Sequence, residues 1–527
     1  MTAALTRTLV VLGAVATLLS LYWGNISQCT IACPADVQQG HTGYFEYECA
    51  GRPHHSTWSS WWHPQRKDGN VFERGQGAGV TTKDWNILYH LGGNGPWVEK
   101  IVDVVDTGLA VPDGCRVEQV HMMARHAERY PTKTAGRNQR AVVDKMKKSG
   151  IRFTGSLAFF NEWELFWTDD ADLEQLTSTG PFSGRLGSFT TGVRLRTRYH
   201  HLFEQALHQN ATTYWASGSQ RVIETARHFA LGFFGLDAPT QLEVISEKAH
   251  RGADTLTPGR TCHANQVDTQ DGKAKGYRLM GEYRTSYLPA IGARLSSQTG
   301  LAFSTQDVFS MQEMSGFETT VRGRSDWCNV FTQDEFLSFE YARDILHYYR
   351  AGPGQTYAAS MGMLWLNATT QLMLQGPSAG PLFFSFVHDG DIAPMITALD
   401  VINDAHHLPI THIAHDRKWR KSQVAPMGGR VILELLSCRA SSHSHEVHGH
   451  EVNENESRDR ETKYVRLNIN DGITALPDCH SGPGQSCPLA DFSARMKRRG
   501  EEAGDFVALC GLEPGAKSGI TFLRQGR

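Results

Sequence analysis

The sequence predicts an α/β protein in which a mainly parallel, helix-covered sheet domain is interrupted by a mostly α-helical insertion. Three stretches carry that prediction. Leu382 to Val387 (LFFSFV) is a nearly continuous apolar run of strand length, the pattern of a strand buried on both faces. Val117, Val120 and Met122 mark a second strand that stops at Arg125-His126, and Arg137 to Lys148 follows as a helix, so strand, loop and helix succeed one another as in a parallel sheet. Residues 265–376 read as mainly helical, including Glu335 to Arg350 and the apolar run Met361 to Leu374.

A chain of 527 residues is long enough for a large core and two domains, and 40% hydrophobic with 20% charged residues is an ordinary globular composition. The formal net charge of -3 supplies no general attraction to nucleic acid or acidic membranes, so any anion site must be local and no nucleic-acid partner is expected. Behind Arg7, residues 8–23 form an apolar run that fits a secretory h-region or a short signal anchor. Either places the protein in the secretory pathway, secreted or anchored at the cell surface through that run. Four sequons agree, beginning at Asn25, Asn210, Asn367 and Asn455; Asn25 abuts the apolar run, which leaves Asn210, Asn367 and Asn455 as the expected glycan carriers. Ten cysteines without CxxC spacing point to disulfides rather than zinc.

In chain order the expected organisation is a signal segment (1–24), an irregular arm rich in Gly, His, Ser and Trp (25–84), a discontinuous α/β domain (85–150 and 376–515), a mixed segment holding the helical insertion (151–375), a polar His/Glu-rich insertion (439–463) and a tail (516–527). Within it, the run from Thr190 has Val193, Tyr199, Leu202, Phe203 and Ala206 at helical spacing, marking a core stripe. Strands are expected at Thr212 to Ala216, Leu242 to Ser246, Arg430 to Leu436 and Tyr464 to Ile469. His443, His445, His448 and His450 lie in the polar insertion, where histidines without a scaffold make a loose metal site; a solvated loop is the expectation.

The residues with chemistry crowd the ends of these elements. Arg125, His126 and Arg129 follow the first strand, and forked guanidiniums suit tetrahedral oxyanions. Arg221 stands at a helix start, where free N–H groups and the positive dipole end favour phosphate. His388-Asp389 ends the apolar strand, with Asp391 in N-cap position and Pro394 in the first turn of the next helix.

In order and spacing these motifs resemble the histidine acid phosphatases, which carry RHGxRxP early and HD late. Here they read Arg125-His126-Ala127-Glu128-Arg129-Tyr130-Pro131 and His388-Asp389. The resemblance covers most of residues 85–515 and includes HLGGNGP (His90 to Pro96), GSQR (Gly218 to Arg221) and VRLNINDGITALPDC (Val465 to Cys479), similar to fungal acid phosphatases and phytases. It implies a phosphoglycerate mutase-like sheet domain and hydrolysis of phosphate monoesters, with phytate against a broad substrate range left open. It further implies His126 as nucleophile, Asp389 as proton donor, and Arg125, Arg129, Arg221 and His388 as holders of the phosphate, with no metal or other cofactor. Neighbouring arginines would keep His126 neutral and nucleophilic at acid pH, and the buried strand end would raise the pKa of Asp389. Lys133, Arg137 and Arg140 are candidates for a wider basic pocket, against a reading as solvated surface charge.

The same resemblance implies the pairs Cys115–Cys438, Cys262–Cys510, Cys479–Cys487 and Cys33–Cys49, with Cys29 and Cys328 unplaced. Ala127 and Gly390 depart from the family pattern, which usually has glycine at the first and often threonine at the second. The alternative reading is a non-catalytic secreted or cell-surface glycoprotein that keeps a phosphate site; a metal-dependent hydrolase using His443 to His450 is another. Because arginines supply the charge, phosphatase activity is expected to be unchanged by EDTA, and a loss on chelation in a p-nitrophenyl phosphate assay would point to the histidine tract instead.

Overall fold

The computed structural model describes residues 85–106, 108–439 and 461–526. The apolar run 8–23, the N-terminal arm, the Cys33–Cys49 pair, Asn25, Asn455 and the His443 to His450 tract lie outside them. Among the described residues no helix is long and apolar enough to cross a membrane.

The chain runs β1 (Cys115–Arg125), α1 (Lys133–Lys148), α2 (Gly184–Arg198), α3 (His200–His208), β2 (Thr213–Ser217), α4 (Gln220–Phe234), β3 (Gln241–Ile245), α5 (Ala274–Thr299), α6 (Thr305–Arg322), α7 (Gln333–Ala351), α8 (Ala358–Gln375), β4 (Leu382–Val387), α9 (Asp389–Leu399), β5 (Arg430–Arg439), β6 (Glu461–Ile469), β7 (Gly472–Thr474), β8 (Cys487–Pro488) and α10 (Leu489–Ala503). Among the described residues all strands join one sheet in the order β3-β2-β4-β1-β5-β6-β7, with β8 on β6. The sheet is mixed. β3, β2, β4 and β1 are mutually parallel, whereas β5 to β8 pair antiparallel.

The apolar run at β4 is buried throughout, as a strand covered on both faces must be. β1 is buried over its last nine residues despite its alternating pattern, because helices cover both faces of the sheet. Val120, Met122, Phe384 and Phe386 pack with α2, α3 and α4. Met123, Phe383 and Val387 turn to the opposite face, into the larger core shared with α1 and α5 to α8. Capping boxes start α6 (Ser304 with Asp307) and α7 (Thr332 with Glu335), satisfying N–H groups that a helix start leaves open.

Three local expectations change. The run from Thr190 folds as two helices, α2 and α3, that meet at Tyr199, and Val193 is exposed rather than core. The helix after β4 starts at Asp389, not beyond Asp391: His388 is its N-cap, and Asp391 at the third helical position accepts the His388 N–H at 3.0 Å. Pro394 therefore sits inside α9. The segment 151–375 returns to the sheet twice, through β2 and β3, where strands were expected at Thr212 to Ala216 and Leu242 to Ser246.

Disulfides join Cys115 to Cys438, Cys262 to Cys510 and Cys479 to Cys487, while Cys328 is buried and free. The first staples β1 to its antiparallel neighbour at directly opposed positions. α2 and α4 touch through glycines: a Cβ on Gly192 would strike the Phe229 carbonyl, and one on Gly232 the Phe189 carbonyl. α4 brings Arg221 to the sheet, so this contact sets where that guanidinium stands. Gly192→Val is expected to destabilise the protein by about 1–3 kcal/mol through overpacking, read as a lowered denaturant midpoint.

Candidate active site

The carboxyl ends of β1, β4 and β2 lie side by side, and each delivers a basic group. Arg125 is the last residue of β1, 2% exposed. Its guanidinium donates to the Gly93 and Ala425 carbonyls at 3.1 and 2.9 Å and meets the Asp389 carboxylate at 3.3 Å. The Gly93 carbonyl comes from the glycine-rich loop, whose Gly92 and Gly93 take left-handed conformations (φ +56° and +76°); a Cβ on Gly92 would collide with the stem of Arg343. This is why the HLGGNGP stretch needs its glycines.

His126 follows, with its backbone N–H on the Val387 carbonyl at 2.9 Å, so the ends of β1 and β4 are tied at the site itself. Its Nδ1 lies 2.9 Å from the Ala127 carbonyl and must donate to it, which puts the imidazole lone pair on Nε2. Burial, then Arg125, Arg221, Arg129 and His388, hold this imidazole well below the usual histidine pKa. Burial leads that list; the neighbouring arginines come second.

Arg129 donates to the Tyr130 carbonyl at 2.8 Å and stacks over Phe317. Arg221 is the second residue of α4, behind the N-cap Ser219, and its guanidinium lies 3.4 Å from His388 Nδ1. The His126 and His388 rings meet edge to face with centroids 5.7 Å apart. All six residues singled out by sequence, Arg125, His126, Arg129, Arg221, His388 and Asp389, therefore line one cavity of about 610 Å³.

Asp389 departs from expectation. Burial pushes its carboxyl up, but Arg125, Lys421, His347 and Arg350 together outweigh that and hold it well below the usual carboxylate range. Lys421 Nζ is 3.2 Å and His347 Nε2 3.8 Å from its Oδ2. The carboxyl that is pushed well above its ordinary value by burial is Asp391, the third residue of the same helix.

Sequence reasoning missed much of the cavity wall. Arg260, Lys273, Arg284, Arg343 and Arg350 line it alongside Arg125, Arg129 and Arg221. Lys133, Arg137 and Arg140 do not: the first two are exposed on α1, and Arg140 pairs with Asp170. The missed cations sit on α5 (Arg284), just before it (Lys273), on α7 (Arg343 and Arg350) and on a short helical turn (Arg260), outside both motifs. A period-four reading of α7 could have found Arg343, His347 and Arg350 on one face.

The two departures from the family pattern are accommodated. Ala127 is not among the left-handed residues, its N–H donates to Thr225 Oγ1 at 3.0 Å, and it lines a separate cavity of about 40 Å³ with Trp97, Glu128 and Arg430. Its methyl group thus lies outside the large basic cavity. At Gly390 an added Cβ would make only an ordinary contact, 3.7 Å from Arg350.

The sequence model of the histidine phosphatase superfamily (branch 2) matches residues 116–470. The chain belongs to this superfamily. A phytase of Candida albicans is 31% identical over 84% of this chain and 91% of the relative, and an acid phosphatase of Komagataella pastoris 31% identical over 83% and 89%. Among solved structures, the phytase from D. castellii superposes with a TM-score of 0.74 at 29% identity, covering 84% of this chain and 91% of that one. A multiple inositol polyphosphate phosphatase from Bifidobacterium longum, at 15% identity and TM-score 0.58, shares the fold.

In this histidine phosphatase the glutamate inside the motif is also tuned. Burial pushes Glu128 up to about 7, against opposing contributions from the Trp97 N–H at 2.8 Å, Arg125 and Arg430. A carboxyl raised in the folded state favours folding while it is protonated. Stability is thus fully present below its unfolded value near 4.5 and is lost as pH rises from there through about 7. Glu128→Gln, which copies the protonated form, is expected to flatten that fall, worth up to about 3 kcal/mol, in unfolding free energies measured from pH 4 to 8.

Proposed function

We propose that the protein is an acid phosphatase that hydrolyses phosphate monoesters through a phosphohistidine intermediate. The observation that carries this reading is His126: a buried, neutral imidazole with Nδ1 committed to a carbonyl and Nε2 bare, ringed by Arg125, Arg129, Arg221 and His388 at the floor of an accessible cavity. Acid phosphatases and phytases among its relatives support the same chemistry.

In the first half-reaction Nε2 of His126 attacks phosphorus in line, the bond to the ester oxygen breaks, and the guanidiniums of Arg125, Arg129 and Arg221 with His388 take up charge on the non-bridging oxygens. Asp389 gives its proton to the departing alkoxide. In the second, Asp389 as carboxylate takes a proton from the water that attacks phosphorus, the N–P bond breaks, and orthophosphate leaves. The cations that hold Asp389 ionised at rest are the ones an arriving phosphate neutralises. The negative charge of the substrate beside Arg125 raises the carboxyl pKa, so the donor acquires its proton together with its substrate.

For substrate range, we propose that inositol polyphosphates such as phytate are accepted besides simple monoesters. The supporting feature is the excess of Arg and Lys over the carboxylates of Glu313, Asp389 and Asp391 in a wall reaching across α5 to α7. Placement in the secretory pathway is supported by three disulfides, which persist in oxidising compartments, and by the apolar run 8–23. Asn210 and Asn367 are exposed, as glycan acceptors must be. The non-catalytic alternative gains no support from Ala127, whose methyl group stays out of the large cavity.

The test is an acid-pH panel of p-nitrophenyl phosphate and phytate, run on wild type and His126→Ala between about pH 2.5 and 6. Wild type is expected to hydrolyse both, and the mutant to lose on the order of 10³-fold or more in kcat. Hydrolysis retained by the mutant would remove His126 as nucleophile; release of phosphate from the monoester alone would remove phytate.

A further inference from the structure

Glu247, two residues past the end of β3, has a carboxylate that touches three separate parts of the site. Its Oε1 accepts from the Ser219 N–H at 3.1 Å and from the Ser219 hydroxyl at 2.8 Å, and it lies 2.9 Å from Nε2 of His388. Its Oε2 meets Arg260 Nε at 3.0 Å. Ser219 is the N-cap of the helix that carries Arg221, and Arg260 lines the cavity. One carboxylate therefore ties together the ends of β2, β3 and β4.

These contacts also assign the protons of His388. The Arg221 guanidinium has no acceptor, so Nδ1, 3.4 Å from it, must accept. Nε2 then carries the hydrogen and donates it to Glu247. A neutral ring in this tautomer presents a lone pair to the phosphate site, and a lone pair repels a phosphate oxygen. To donate to phosphate, Nδ1 must gain a proton as well, and a carboxylate on the opposite nitrogen is the group that stabilises the resulting imidazolium.

We propose that Glu247 is a positioning residue that makes His388 a doubly protonated, cationic donor to bound phosphate. The inference rests on the phosphatase reading above. Arg221 from α4 and His126 from the end of β1 face the His388 ring; Asp389 and Asp391 stand on its own helix, and Arg260 lies behind Glu247. Without phosphate, burial holds His388 below the usual histidine value, while Glu247 opposes that. Glu247 itself, despite burial, is lowered to about 2 by His388 and Ser219, so it is a carboxylate throughout the acid range. With a dianion at the site, Glu247 and phosphate flank the ring and its charge is favoured until pH rises through the pKa of the bound state.

The test compares kcat for p-nitrophenyl phosphate at saturation, which reports the pKa values of the bound complex, against pH in wild type, Glu247→Gln and Glu247→Asp, with thermal unfolding as the control for folding. Glu247→Gln keeps an acceptor for Ser219 but removes the charge. It is expected to lose about 10–100-fold in kcat and to move the alkaline limb of kcat to lower pH by about one unit or more, with Glu247→Asp recovering part of both. A loss that is uniform across pH, or an alkaline limb left in place, would make Glu247 a scaffold residue and overturn the proposal. If Glu247→Gln fails to fold, ¹⁵N imidazole signals of wild type saturated with orthophosphate decide it: His388 protonated at both nitrogens is the expected result, and a neutral ring overturns it. A wild type without phosphatase activity would instead defeat the reading on which this rests.

Discussion

The buried ion pair of Arg125 with Asp389 is the constraint around which this molecule is arranged. A guanidinium exposed to only 2% of its surface cannot stand in a protein interior without compensation, and removing either member of such a pair leaves a charge that costs several kcal/mol. The compensation here comes from three directions. The Gly93 and Ala425 carbonyls take two of the guanidinium hydrogens, and Asp389 supplies the counter-charge. Lys421 approaches the same carboxylate, so the resting cluster keeps an excess of positive charge facing the cavity. A phosphate group is what such an excess attracts.

The strand order makes the cluster possible. β1 pairs in parallel with β4, and β4 with β2, so the residues that follow Arg125, Val387 and Ser217 leave the sheet at the same edge. Ligands in open α/β sheets bind at that edge, and here the N-termini of α4 and α9 start there as well. The antiparallel half, β5 to β8, plays another part: it closes the far side of β1 and supplies Arg430, which anchors Asp471.

Burial also sets the acid character of the site. It depresses His126 and raises Glu128, and in each case it disfavours the charged form, so both are neutral at acid pH. Asp389 goes the other way because Arg125, Lys421 and Arg350 face it, with His347 beside them. Asp389 and Asp391, two residues apart on α9 and both lining the basic cavity, thus shift in opposite directions, the first held down by the facing cations and the second pushed up by burial.

The sequence by itself determined the parallel-sheet core and singled out the six residues that the fold brings to one cavity, since both are written in local terms: an apolar run that ends at His388-Asp389, a strand that ends at Arg125-His126, and an arginine just inside a helix start. It could not determine the protonation state of Asp389. That depends on Lys421, His347 and Arg350, which lie in two other segments and meet the carboxylate only when the chain folds. The innocuous placement of Ala127 was likewise hidden, because the direction of a methyl group follows from backbone dihedrals and from the side of the sheet it faces. The basic wall beyond the motifs belongs to the same class: Lys273, Arg284 and Arg343 belong to no motif along the chain, and packing of α5, α6 and α7 over the strand ends turns them toward one cavity. Local pattern encodes which residues can do chemistry, whereas electrostatic fields are sums over neighbours in space, and only the tertiary structure decides those neighbours.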